Sequence, residues 1–199
     1  MSGSILDQVL RIVQSAEKRR QVEVIRALKM IGVKPGKQVS RSARAHHEAG
    51  HVVLGVSLGR KLKAGVRVGD DSNVEFWARA DRDDARRKER IRIAIAGPIA
   101  EANCAGSSAG GGLDLPLALK LARQLTCGPR EKKAALRDLS EEVRATLAIA
   151  PVRQLATAIL RTGFLSKKDL LAELAKLHWP RSARKTLVSR RAAPPPPPR

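Results

Sequence analysis

His47 and His51 stand four residues apart with Glu48 beside the first, in the run His47-Glu48-Ala49-Gly50-His51. Residues four apart on a helix project from one face. Two imidazoles so placed can grip one zinc ion through their ring nitrogens. A carboxylate one step round can take the proton of an attacking water. The spacing is HExxH, by which a helix supplies two zinc ligands and the general base of peptide hydrolysis. The chain has only four histidines, and His46, His47 and His51 fall close together. The plainer alternative is a half-buried helix whose histidines bind nothing, because Val52, Val53 and Val56 give the same helix a core face.

A catalytic zinc takes a third protein ligand and keeps one position open. Two carboxylates downstream qualify. Glu101 lies in a second predicted helix, and Asp114 lies at a loop-to-helix junction after Gly110-Gly111-Gly112. Spacing does not choose between them. Asp114 could equally be a helix cap, and Glu101 a supporting or surface acid.

These side chains need elements to bring them together. Ser40 or Ser42 opens the histidine helix, which runs to about Leu58 and stops at Gly59. Gly50 costs that helix stability, and its use there lets another backbone come close. Val66 and Val68, then Val74, Phe76 and Ala78, alternate on either side of residues 69–73, which reads as a short β-hairpin. Its edge could pair with an extended peptide or be an ordinary surface. The charged run Arg79 to Arg92 begins a helix that turns apolar at Ile91, is interrupted or kinked at Gly97-Pro98, and resumes at Ile99. Further helices are expected from Leu115 to about Leu125, near 131–148 and 151–162, and from Lys167 to Leu177 behind Ser166.

Upstream, residues 4–31 read as helical, with Lys18-Arg19-Arg20 marking a bend or a solvated face and Gly32 to Gly36 ending the element. This segment is either an extra helix packed on the main domain or an oligomerisation or docking arm. From Pro180 the chain has no acids and ends near five consecutive prolines, a disordered basic tail of polyproline II character.

Aromatic residues are scarce: Phe76, Phe164, Trp77 and Trp179, with no tyrosine. A core made of Leu, Val, Ile and Ala favours packed helices. The expected fold class is mainly α (α+β), with a helical arm at 1–40, one domain at 41–179 and a tail at 180–199. The net charge of +20, from 39 Lys and Arg against 19 acids, attracts acidic proteins, anionic lipid or nucleic acid. So few aromatics argue against a platform for stacking single strands. Cys104 and Cys127 form no CxxC pair and suit free thiols in a reducing cytoplasm. No apolar run reaches bilayer length, and the N-terminus has no secretory pattern.

The run His46 to Val53 resembles the HEAGH zinc helix of the FtsH-type AAA+ proteases. Ile93 to Glu101 is similar to that family's helix ending in Gly-Arg-Ala-Ala-Glu, and Gly110 to Leu115 to its glycine-rich turn ending in Asn-Asp-Leu. Leu117 to Leu125, Leu155 to Leu160, Gly163 to Ser166 and Leu170-Leu171 resemble its later helices, so the likeness spans residues 43–177. It implies a helical zinc-peptidase domain in which His47, His51 and Asp114 hold Zn2+, Glu48 is the general base and Glu101 is a supporting residue. The chain departs from the family in having no P-loop, no ATPase module and no membrane anchor, and in carrying Pro98 where an arginine is usual. The hairpin is also shorter. The resemblance therefore implies a free-standing, ATP-independent peptidase acting on unfolded or flexible polypeptides, alone, as a homo-oligomer or with a separate ATPase. Two rival readings are a catalytically inactive peptidase-fold interaction module and a basic nucleic-acid-binding protein whose HExxH is incidental.

Overall fold

A computed structural model describes residues 5–36, 40–69, 74–77, 80–109, 113–177 and 179. Among these residues it has seven helices and three short strands: α1 (Ile5–Met30), α2 (Arg41–Ser57), β1 (Leu62–Arg67), β2 (Val74–Phe76), α3 (Asp84–Ala105), α4 (Asp114–Arg123), α5 (Pro129–Thr146), α6 (Ile149–Thr162), β3 (Phe164–Leu165) and α7 (Lys167–Lys176). The chain is mainly helical with a small antiparallel sheet. The Pro-rich tail from residue 180, the hairpin tip at 70–73 and the glycines at 110–112 lie outside the described residues.

The histidine helix α2 runs through the middle of the molecule. Ser40 is its cap, because its hydroxyl accepts from the backbone N–H of Ala43 at 3.0 Å and so satisfies one of the free donors of the first turn. Ala45, Ala49, Val52, Val53 and Leu54 are all buried. A helix surrounded on most sides is apolar nearly all round. The departures here are His47, Glu48 and His51, buried to 5–6% residual exposure.

The helix α3 packs along α2 and does not break at Pro98. It is continuous from its cap at Asp83, whose carboxylate accepts from Arg86 N at 2.8 Å, to Gly106 in the left-handed conformation at φ +73°. The expected interruption is therefore corrected. A proline inside a helix removes one backbone bond and presses on a carbonyl, costing about 3 kcal/mol. Ile91, Ile95 and Ile99 are each 0% exposed on this helix. Each such side chain contributes about 1.5–3 kcal/mol when buried, so packing outweighs the proline and keeps the helix whole.

Gly50 of α2 is where the two helices touch most closely. A Cβ added there would lie 2.6 Å from Ala100 Cβ and 2.7 Å from the Ala96 carbonyl oxygen. This is the close backbone approach that a glycine in mid-helix permits.

The sheet has the order β2-β1-β3, all antiparallel. Leu62 pairs with Phe76 and Val66 with Val74, so the expected hairpin forms, starting earlier than the alternation of valines suggests. The third strand, Phe164-Leu165, was not foreseen, since two residues are too few to carry a period of two. The Phe76 ring lies over Gly55, which seats the sheet against α2.

The N-terminal helix α1 is unbroken, and Lys18, Arg19 and Arg20 lie on its exposed surface rather than at a bend. Its last turns bury Ala27 and Leu28, and the residues after it bury Ile31 and Val33, in the same core as α2 and α3. Arg144 of α5 fixes the end of α1 by donating to the carbonyls of Ile31 and Gly32, both at 2.8 Å. No single described helix is long and apolar enough to cross a membrane.

Candidate metal centre

Three elements converge on one point. From α2, His47 Nε2 lies 2.9 Å and His51 Nε2 3.2 Å from the same carboxylate oxygen, Asp114 Oδ2 at the start of α4. One donor atom from each of the three residues falls within a span of 4.8 Å. A tetrahedral zinc with bonds of about 2.1 Å wants such atoms about 3.4 Å apart. Two nitrogens and a carboxylate oxygen are also a donor set that zinc accepts. The group could hold a metal ion. Its side chains are 6% and 8% exposed at the histidines but 30% at Asp114, so the centre opens to solvent on the carboxylate side.

Asp114 does not cap its helix. Leu113 holds the cap position, and no side-chain cap bond forms. The acid instead turns to the two rings.

The other ring nitrogens are held from behind. His51 Nδ1 is 2.7 Å from the Ile93 carbonyl of α3, an atom that only accepts, so Nδ1 carries the proton. His47 Nδ1 donates in the same way to Glu101 Oε2 at 2.9 Å. Both tautomers are thereby set with Nε2 facing the metal position. Glu101 is itself pinned: Ser108 Oγ donates to Oε2 at 2.8 Å and Ala109 N to Oε1 at 3.0 Å. Ser108 is locked in turn by the segment after α1, donating from its N–H to Lys34 O at 2.9 Å and accepting from Gly36 N at 2.7 Å. The two candidate third ligands thus touch His47 on opposite sides, Asp114 at the metal-facing nitrogen and Glu101 at the rear.

The space for an ion depends on Gly97 of α3. A Cβ there would stand 2.5 Å from His47 Nε2 and closer still to His51 Nε2. Any side chain would fill the cradle. Next to it, Pro98 deprives the Ala94 carbonyl of its helical donor, and the preceding carbonyl, Ile93, is the one that holds His51.

The charges in the centre are strongly coupled. Burial works against a charged His47, but its hydrogen bonds to Asp114 and Glu101 and the neighbouring carboxylates prevail and raise its pKa to about 9. Burial likewise opposes the charged form of His51, and the charge and hydrogen bond of Asp114 overcome it, so that pKa is raised too. Asp114 and Glu101 would be pushed up by burial, yet both are lowered. The two histidines dominate for Asp114. For Glu101 it is the His47 bond together with Ala109 and Ser108. Glu48 goes the other way: burial raises its pKa by more than His51 and His47 lower it.

His47 and His51 could be picked out of the sequence by type and spacing, whereas spacing left Asp114 and Glu101 as rivals and only the family resemblance favoured Asp114. Gly97, Ser108 and the Ile93 carbonyl could not. A glycine before a proline is an ordinary breaker signal, a serine in a Ser/Gly stretch is an ordinary loop residue, and a carbonyl has no sequence signature. Comparison with models of known protein families gives no match, and comparison with curated protein sequences gives none either.

Proposed function

We propose that this chain is a zinc-dependent metallopeptidase domain of the FtsH type that hydrolyses peptide bonds in unfolded or flexible polypeptides. The observation that carries the reading is the meeting of His47 Nε2, His51 Nε2 and Asp114 Oδ2 around a space that Gly97 leaves open.

Zinc bound by these three residues would supply Lewis acidity toward the scissile carbonyl and make the attacking water more acidic. Glu48 takes the proton of that water and later delivers it to the leaving nitrogen. Its burial fits the task, because a carboxyl with a raised pKa is both a better base and a usable acid near neutrality. Glu101 keeps the His47 ring oriented and its Nδ1 protonated, and the Ile93 carbonyl does the same for His51. The strand β2 lies at a sheet edge next to α2, where an extended substrate could add its own backbone. Residues 1–199 contain no P-loop, so the unfolding of a folded substrate would have to be supplied from outside them.

Metal analysis combined with casein hydrolysis tests the proposal. The wild type should carry one zinc per chain and cleave casein. Glu48→Gln should keep the zinc and lose about 10²–10⁴-fold in rate. An unchanged rate would remove Glu48 as the base. Zinc without any cleavage by the wild type would favour an inactive peptidase-fold module, and no stoichiometric zinc would end the metal reading altogether.

A further inference from the structure

Sharing no residue with the candidate metal centre, a cleft of about 450 Å³ opens between the end of α1 and the first half of α5. Its lining is Lys29, Met30, Arg130, Lys133, Ala134 and Arg137. Four of the six residues are cations and none is an acid. Arg130, Lys133 and Arg137 follow one another at helical spacing, so they form a line down one face of α5, about 10 Å long at 1.5 Å per residue. The walls are fixed in relation to each other by Arg144, which ties the last carbonyls at the end of α1 to α5.

These cations are not spent on ion pairs, whereas some on other faces are. Arg60 pairs with Glu89, Arg87 with Asp84, Arg92 with Glu142 and Arg123 with Glu23. Among the described residues no carboxylate pairs with Lys29, Arg130, Lys133 or Arg137. Glu131, beside Arg130 in the chain, is occupied in accepting from Gly128 N at the start of α5.

We propose that this cleft is a docking surface for the phosphate backbone of double-stranded nucleic acid. Each strand of a duplex carries one phosphate per 3.4 Å or so of the duplex axis, so a 10 Å row of cations laid along that axis passes about three of them. Guanidinium groups match phosphate oxygens with two parallel hydrogen bonds. The lining has no aromatic ring on which an unpaired base could stack, which favours the duplex over a single strand. No sheet edge lies in this cleft for an extended peptide to join. A membrane surface would need a projecting apolar face, whereas this surface is concave and its apolar part is Met30 and Ala134 alone. Recognition would be blind to sequence, because nothing here reads a base edge.

The test is the salt dependence of binding to a short random-sequence DNA duplex, followed by fluorescence anisotropy on the full chain. For Arg130→Gln/Lys133→Gln/Arg137→Gln, the slope of log K against log salt should become shallower by about 2.7, at about 0.9 for each phosphate left without its cation. A control with the same loss of charge on another face, Lys167→Gln/Lys168→Gln/Lys176→Gln, should shift it by less than about 1. The single variant Lys133→Glu should weaken binding in the same direction. Zinc content and the circular-dichroism melt should be unchanged in all of them, which separates this outcome from failure of the peptidase reading. Equal slope changes in the two triple variants, or none in the cleft variant, would overturn the proposal. So would tighter binding of polyglutamate or of phosphatidylserine vesicles than of the duplex, lost in the same triple variant, since the cleft would then serve an acidic polypeptide or a membrane.

Discussion

At the candidate metal centre Asp114 lies within hydrogen-bond reach of His47 and His51, and Glu101 of His47, with the two histidines and Glu101 buried. In the cleft between α1 and α5, Lys29, Arg130, Lys133 and Arg137 stand exposed with no carboxylate among them. Both places collect ionisable groups, under opposite physical conditions. Inside, each charge must find its partner within the fold, because an unpaired buried charge is costly. Outside, water solvates each cation separately, so the fold does not have to supply a complement and an external one can take its place. A substitution at the centre should therefore change metal binding and stability, while one in the cleft should change only what the protein attracts.

The sharpest way to break that contrast is Gly97→Ala. The added methyl group would fall on the Nε2 atoms of both His47 and His51. Stoichiometric zinc should be lost and the metal-free fold destabilised by about 1–3 kcal/mol. Full zinc occupancy in this variant, measured by metal analysis, would show that the rings do not meet where Gly97 lies.

Next in size are the two carboxylates that flank His47. Asp114→Asn should remove tight zinc binding. Glu101→Gln should only weaken it, by about 10–100-fold, since Glu101 orients a ligand without being one. Ser108→Ala should have a smaller effect in the same direction, by loosening Glu101. Chelator competition ranks the three. If Glu101→Gln proved worse than Asp114→Asn, their roles would have to be exchanged.

The smallest effect concerns pH. Without metal, His47 and His51 have pKa values raised above 6.5, so their contribution to stability is complete below pH 6.5 and falls as pH rises, that of His47 being lost through about pH 9. Asp114 is lowered, so its contribution is present above its unfolded value of 3.8 and is lost on acidification below that. The melting temperature of chelator-treated protein should therefore decline between pH 6.5 and 9. The zinc-loaded protein should decline less, because the metal takes the place of those protons. Parallel curves for the two forms would mean that the histidines do not titrate against Asp114.

Much of this molecule is legible in the chain itself. The HExxH spacing puts two imidazoles on one helical face whatever surrounds them, and Ser40 and Ser166 mark helix starts that the structure uses as caps. Local signals of this kind act over one or two turns, within the reach of backbone hydrogen bonds. Pro98 is the instructive failure: read locally it breaks a helix, yet three buried isoleucines hold that helix together. The strand β3 was missed because its reason for being extended is its partner β1, about a hundred residues earlier.

The residue types and their intervals alone determined that His47, His51 and Glu48 share a helix and that two acids further on could complete a site. Which face of His47 each acid touches was decided only by folding, as were the carbonyl that holds His51 and the glycine that leaves room for an ion. Those relations depend on how α2, α3 and α4 pack together, and helix packing follows from the combined fit of many apolar side chains. No interval along a sequence encodes that.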